Sequence, residues 1–132
     1  MTQWGVIPSI RVRDMAAALA FYRDTLGFTL DRGGEVATNA SLTREDSHVM
    51  IETAADHYGD VYNAAIRERL GTPSSMALYM EASDLADLYA RLQATADARI
   101  IDPLAGRPWG QDEFTVEDLD GNWLTFWKKV AD

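Results

Sequence analysis

The chain has 132 residues, 47% of them apolar, which suits one domain with a real core. It has no cysteine, so disulfides, thiolate metal ligands and a cysteine nucleophile are excluded. A net charge of −9 argues against a phosphate-backbone ligand; it fits a cationic small molecule or solubility alone.

Residues 6–14, VIPSIRVRD, read as a strand with Val6, Pro8, Ile10 and Val12 on one face and Ile7, Ser9 and Arg11 on the other. Pro8 suits an edge strand, or one that leaves its own sheet. Asp14 is a good N-cap. Met15, Leu19, Tyr22 and Leu26 then recur at helical spacing, and Gly27 fits a helix stop. FTLDR, VATNASLT and HVMIET follow as strands, separated by turns at GGE and REDS.

The segment TAADHYGDVYNAAIRERLGTPS carries Val61, Ala65 and Leu70 at the spacing of a short amphipathic helix. It serves either as a linker or as a cover over one edge of a cavity. The earlier pattern then restarts. SMALYMEAS reads as a strand, Asp84 opens a helix with a stripe of Leu85, Leu88, Tyr89 and Leu92, and ARIID, DEFTVED and NWLTFWKK are strands. DMAAALAFY and DLADLYARL correspond, as do TREDSHVMIE and TVEDLDGNWLTF. The chain thus reads as two copies of β-α-β-β-β.

Two stretches carry a family resemblance: IRVRDMAAALAFYRDTLGF near the start and PWGQDEFTVEDLDGNWLTF at the end. Together with the repeat, they resemble the vicinal oxygen chelate superfamily of glyoxalase I, extradiol dioxygenases and bleomycin-resistance proteins. The likeness is strongest to the bleomycin-resistance branch. That branch usually has a basic residue before the Glu-Phe pair, where this chain has Asp112. The resemblance implies an α+β fold in which two β-α-β-β-β modules form an open concave barrel, and it implies a homodimer. The modules span about 1–54 and 74–132 of a single domain, joined by 55–73.

In enzymes of that superfamily, His and Glu side chains from four strands hold a divalent metal. The corresponding positions here are Ile7, Glu52, Ala77 and Thr125, of which only Glu52 is a ligand type. No metal or other cofactor is therefore expected. His48 and Glu52 lie on one strand face and form half of a possible unrelated site, with His57 the other imidazole. The simpler alternative is a strand-start His and a loop His. No Ser/His/Asp arrangement is legible, and GRPWG is too poor in glycine to cradle a phosphate.

The resemblance puts Thr125 on the concave face, and period-two alternation then brings Trp123 and Trp127 to the same side, leaving Leu124 and Phe126 for the core. By the same logic Ser9, Arg11, His48, Met50, Glu52, Tyr79 and Glu81 share that side. Trp109, in the loop before the seventh strand, would close the rim. These eleven residues are the expected ligand contacts. A salt bridge from Arg11 to Glu52 or Glu81, and packing of the tryptophans in a dimer interface, are the structural alternatives.

The expected function is non-catalytic binding of a flat, cationic small molecule, as in sequestration-type antibiotic resistance. Alternatives are a metal-dependent lyase, isomerase or dioxygenase with an unusual site, and an accessory domain that binds a metabolite. No apolar run is long enough to span a bilayer and no basic-then-apolar leader is present. The expected location is the cytoplasm, with neither nucleic acid nor membrane as a partner.

Overall fold

A computed structural model describes residues 5–53, 58–70 and 76–130. The chain is α+β and divides into two compact units, Met1–Leu70 and Gly71–Asp132. Each contains one β-α-β-β-β module with a four-stranded mixed sheet.

In the first unit the strands are β1 (Ser9–Arg11), β2 (Thr29–Arg32), β3 (Asn39–Arg44) and β4 (Ser47–Glu52). They lie in the order β1-β4-β3-β2, with β1 parallel to β4 and the other pairs antiparallel. β1 is shorter than the expected strand, and Pro8 sits just before it at the sheet edge, where only its carbonyl is needed: it accepts from the Met50 N–H at 2.9 Å. Asp14 caps helix α1 (Met15–Ala20) by accepting from the Ala17 N–H at 3.1 Å. The helix continues into a π-helical turn over Phe21–Thr25 and stops at Gly27, whose φ of 83° is the left-handed region a glycine adopts without strain.

Met15, Leu19, Tyr22 and Leu26 are all buried, against the sheet face made by Ile10, Ala40, Leu42, Val49 and Ile51. Each such aliphatic or aromatic side chain contributes about 1.5–3 kcal/mol by leaving water. Arg44 also lies on this side, where its Nε donates to the Leu26 carbonyl at 2.8 Å at the helix end.

Helix α2 (Asp60–Arg69) completes the first unit. None of its residues is buried, and Val61 is fully exposed, so the expected apolar stripe does not form a core contact.

The second unit repeats the plan with β5 (Ala77–Glu81), helix α3 (Leu85–Gln93), β6 (Arg99–Arg107), β7 (Gln111–Glu117) and β8 (Trp123–Lys129). The sheet order is β5-β8-β7-β6, again with the first strand parallel to the last. Leu85, Leu88 and Leu92 pack with Met80, Phe114, Val116, Leu124 and Phe126, all buried. Phe114 lies 5.0 Å from the Tyr89 ring and 5.7 Å from that of Phe126. β6 is longer than the ARIID expectation. It runs on through Pro103 and Gly106, with breaks in register on either side of Asp102, the second of them spanning Pro103, as an edge strand permits. The LDGN turn is built on Asp118, whose Oδ1 accepts from the Asp120 and Asn122 N–H groups at 2.9 and 2.8 Å.

Among the described residues, no helix is long and apolar enough to cross a membrane.

Candidate functional site

Each sheet has one apolar face, covered by its helix, and one polar face. The expected ligand contacts all lie on the polar faces or at their rims.

On the first sheet, register places Arg11 and Asn39 on either side of Glu52, Ser9 and Ser41 on either side of Met50, and His48 opposite Thr43. Three of the expected residues meet directly. Glu52, only 6% exposed, pairs with Arg11 at 2.7 Å and accepts a hydrogen bond from the Ser9 hydroxyl at 3.2 Å. Two further donors reach it, Asn39 Nδ2 at 2.6 Å and the Tyr58 hydroxyl at 2.7 Å. Of the two salt bridges open to Arg11, the one to Glu52 is therefore formed. Burial pushes the Glu52 carboxyl up, but the bonds from Tyr58 and Asn39, the Arg11 charge and the Ser9 bond outweigh it and hold the group below the usual carboxylate range. The bond to Glu52 pushes the Tyr58 phenol up in turn, aided by burial and the same negative charge and opposed by Arg11. The Arg11 guanidinium also lies over the rings of Tyr58 and Tyr62, 5.5 and 5.1 Å from their centroids, and the two rings stack at 4.6 Å. Met50 is half-buried between these residues and His48, which is exposed at the strand start.

The second sheet's polar face is a grid of three rows. Glu81, Trp127 and Glu113 share one row; Tyr79, Thr125 and Thr115 the next; Ala77, Trp123 and Glu117 the third. Trp123 and Trp127 are half-buried, as period two requires, while Leu124 and Phe126 face the helix side. Four residues apart on a strand, their Cα atoms are separated by about 13 Å. One flat ring stacked between them would need roughly half that, so the two indoles flank a ligand or serve separate ones.

Thr125 is only 1% exposed, and its hydroxyl is hydrogen-bonded to that of Thr115 at 2.7 Å. Trp109 lies in the turn between β6 and β7, and Gly110, with φ of 87°, completes that turn. Trp109 and Tyr79 are the exposed aromatics of this face, at 61% and 57%. Their polar edges converge on Glu113, which is 4% exposed: Trp109 Nε1 donates to it at 3.1 Å and the Tyr79 hydroxyl at 3.2 Å. Burial, the Glu113 charge and the bond to it push the Tyr79 phenol above its ordinary range, as does Asp102, with Arg107 opposing. Arg107 approaches Glu113 at 3.9 Å but holds Asp102 more closely, at 2.7 Å. Trp123 Nε1 donates to Glu117 at 2.8 Å, and Arg99 pairs with the same carboxylate at 3.1 Å. Glu81 is exposed.

The sequence analysis missed the partners that complete these networks, chief among them Asn39, Tyr58, Glu113 and Glu117. For the two glutamates a signal existed. Once DEFTVED pairs with NWLTFWKK, alternation through Thr115 puts Glu113 and Glu117 on the tryptophan face. Asn39 and Tyr58 are brought to Glu52 by tertiary packing, which no local pattern announces.

The metal positions implied by the resemblance do not fit a catalytic divalent ion. Ile7 and Ala77 present alkyl groups with no donor atom, the Thr125 hydroxyl is bonded to Thr115, and Glu52 is engaged by Arg11, Ser9, Asn39 and Tyr58. No group of three or more His, Asp or Glu side chains able to hold a metal occurs among the described residues, and His57 lies outside them.

Solved structures share this architecture over almost the full chain. A protein of unknown function from Agrobacterium tumefaciens str. C58 matches with a TM-score of 0.73 at 22% identity, covering 98% of this chain and 97% of its own. TioX from Micromonospora sp. ML1 matches with a TM-score of 0.70 at 20% identity, covering 97% and 100%. The bleomycin-binding protein of Streptomyces verticillus, solved with copper(II)-bleomycin, matches with a TM-score of 0.62 at 23% identity, covering 100% and 99%. At such identities the likeness is one of fold. No curated protein matches the chain. The family model for the Glyoxalase/Bleomycin resistance protein/Dioxygenase superfamily matches residues 6–126, and the chain belongs to that superfamily.

Proposed function

We propose that this protein binds a flat, positively charged small molecule and holds it without altering it, on the polar face of the second sheet. The observation that carries this is the composition of that face: two exposed rings, Tyr79 and Trp109, and two half-buried indoles, Trp123 and Trp127, set among the carboxylates of Glu81, Glu113 and Glu117. An aromatic pair contributes about 0.5–1.5 kcal/mol beyond burial, and a cation over a ring about 0.5–2 kcal/mol. The fold likeness to a protein that binds bleomycin supports the same class of ligand.

Glu81 is the carboxylate best placed to meet a ligand's charge, since it is exposed beside Trp127. Glu52 is better suited to support its own sheet, because Arg11 already balances its charge. Ser9, Arg11, His48 and Met50 remain proposed contacts on the first sheet's polar face. Holding the compound away from its target requires no bond to break, and the residues present call for no metal. A homodimer is the assembly we infer from the family resemblance; light scattering at micromolar concentration should return twice the chain mass, and a monomer would contradict it.

The binding test is tryptophan fluorescence titrated with bleomycin and with small planar aromatic cations. Saturable quenching is expected with at least one of them. A broad panel of planar cations that leaves the emission unchanged would remove the support for this function.

A further inference from the structure

Glu113 has two features that a purely structural carboxylate lacks. First, the groups it fixes are exposed. Trp109 and Tyr79 are each more than half accessible, so neither ring contributes much to a core, yet both are tied by their polar edges to one buried carboxylate. Gln111 Nε2 adds a weaker donor at 3.4 Å. A hydrogen bond that immobilises an exposed ring costs conformational freedom and buries little apolar surface in return. It makes physical sense where the ring must be held ready for a partner. With the Nε1–H and the hydroxyl directed at Glu113, the rings offer a ligand their π faces and not their donor edges.

Second, the charge is only partly balanced. Arg107 stands 3.9 Å from Glu113 and 2.7 Å from Asp102, so one guanidinium serves two carboxylates. Trp127, in the same row, has Glu113 on one side and Glu81 on the other. Rings held beside surplus negative charge attract cations to their faces more strongly than rings alone. A ligand needing hydrogen-bond donors from indole or phenol would find those donors occupied.

We propose that Glu113 is a positioning residue of the binding face: it locks Tyr79 and Trp109 as a rigid platform and gives that platform its preference for cationic over neutral planar aromatics. This rests on the binding role proposed above and adds to it the residue that sets specificity.

The test uses two probes of nearly equal shape, N-methylacridinium, a permanent cation, and acridine, at a mildly alkaline pH where acridine is neutral. The parent protein should bind the cation more tightly. Glu113→Gln keeps the side-chain shape but removes the charge and one of the two acceptor oxygens; it should weaken the cation about tenfold, through lost charge and a loosened platform, and acridine only about threefold, through the platform alone. Trp109→Phe keeps a ring but deletes the Nε1–H, and should weaken both probes alike. Equal effects of Glu113→Gln on the two probes, or none, would overturn the proposal. Nuclear magnetic resonance of the indole N–H groups supplies a readout that needs no ligand. In Glu113→Gln the Trp109 signal should shift and exchange faster with solvent, while that of Trp123, bound to Glu117, should not. An unmoved Trp109 signal overturns the positioning role. If the parent binds neither probe, the binding function fails, and the indole signals still decide whether Glu113 holds Trp109.

Discussion

Arg11 and Glu52 stand opposite each other on the parallel strands β1 and β4 and meet at 2.7 Å, both largely buried. Removing one member of such a pair leaves the other charged and desolvated, which typically costs about 3–5 kcal/mol. Glu52→Ala should therefore lower unfolding stability by that order in a denaturant titration. A loss below about 1 kcal/mol would mean that the pair is effectively solvated.

The same carboxylate gives a pH dependence of definite sign. The folded-state pKa of Glu52 lies below its ordinary value near 4.5. Its stabilisation is therefore fully present above that pH, and is lost as pH falls through the folded value. Glu52→Gln should be less stable than the parent at neutral pH, and the gap should narrow on acidification. A gap that stays constant down to strongly acidic pH would contradict the argument.

Helix α2 is held differently from α3. It buries none of its residues, whereas α3 buries Leu85, Leu88 and Leu92. Its tie to the sheet runs through Tyr58 and Tyr62 to Arg11 and Glu52. Amide exchange across Asp60–Arg69 should be faster than across Leu85–Gln93. Tyr62→Ala should accelerate it further while costing only about 1 kcal/mol of global stability. Protection of α2 equal to that of α3 would show that other contacts anchor it.

Gly33 is constrained by a close approach. Its φ is 94°, and a Cβ there would collide with the carbonyl oxygen of Asn39 and come within 2.8 Å of the Ala40 Cα. Gly33→Ala should destabilise by about 1–3 kcal/mol. Because the Asn39 bond helps hold the Glu52 carboxyl down, displacing it should also flatten the acid sensitivity above. A variant as stable as the parent would show that β3 yields easily at this point.

The faces of β8 are among the most legible parts of the sequence. The resemblance fixes the side of Thr125, and period two then divides Trp123 and Trp127 from Leu124 and Phe126; the buried Leu124 and Phe126 agree. Asp14 and Gly27 were equally legible, because capping and left-handed backbone each select few residue types. The extent of β6 was not, since Pro103 and Gly106 act as breakers unless the strand lies at an edge, and edge position is a property of the whole sheet. The network around Glu52 was half legible: strand pairing accounts for Arg11, but Tyr58 arrives from beyond β4.

For the tryptophans, Trp123→Ala should weaken a bound planar cation by about 1–3 kcal/mol, the scale of an aromatic anchor. Glu81→Gln should weaken cations more than neutral ligands, with the difference shrinking at high salt, as an exposed charge requires. Trp123 also donates to Glu117, so some loss of stability is expected. Outright unfolding of Trp123→Ala, judged by circular dichroism, would assign the indole to the core instead.

Binding without conversion is the central claim, and recovering the ligand after contact tests it most directly. The protein, first treated with a chelator, is equilibrated by dialysis against bleomycin or a planar cation identified by fluorescence. The bound compound is then released by denaturation and weighed by mass spectrometry. The account predicts saturable uptake without added metal and a released compound of unchanged mass and amount. Uptake that appears only with a divalent metal, or steady loss of the compound with a new product, would contradict it.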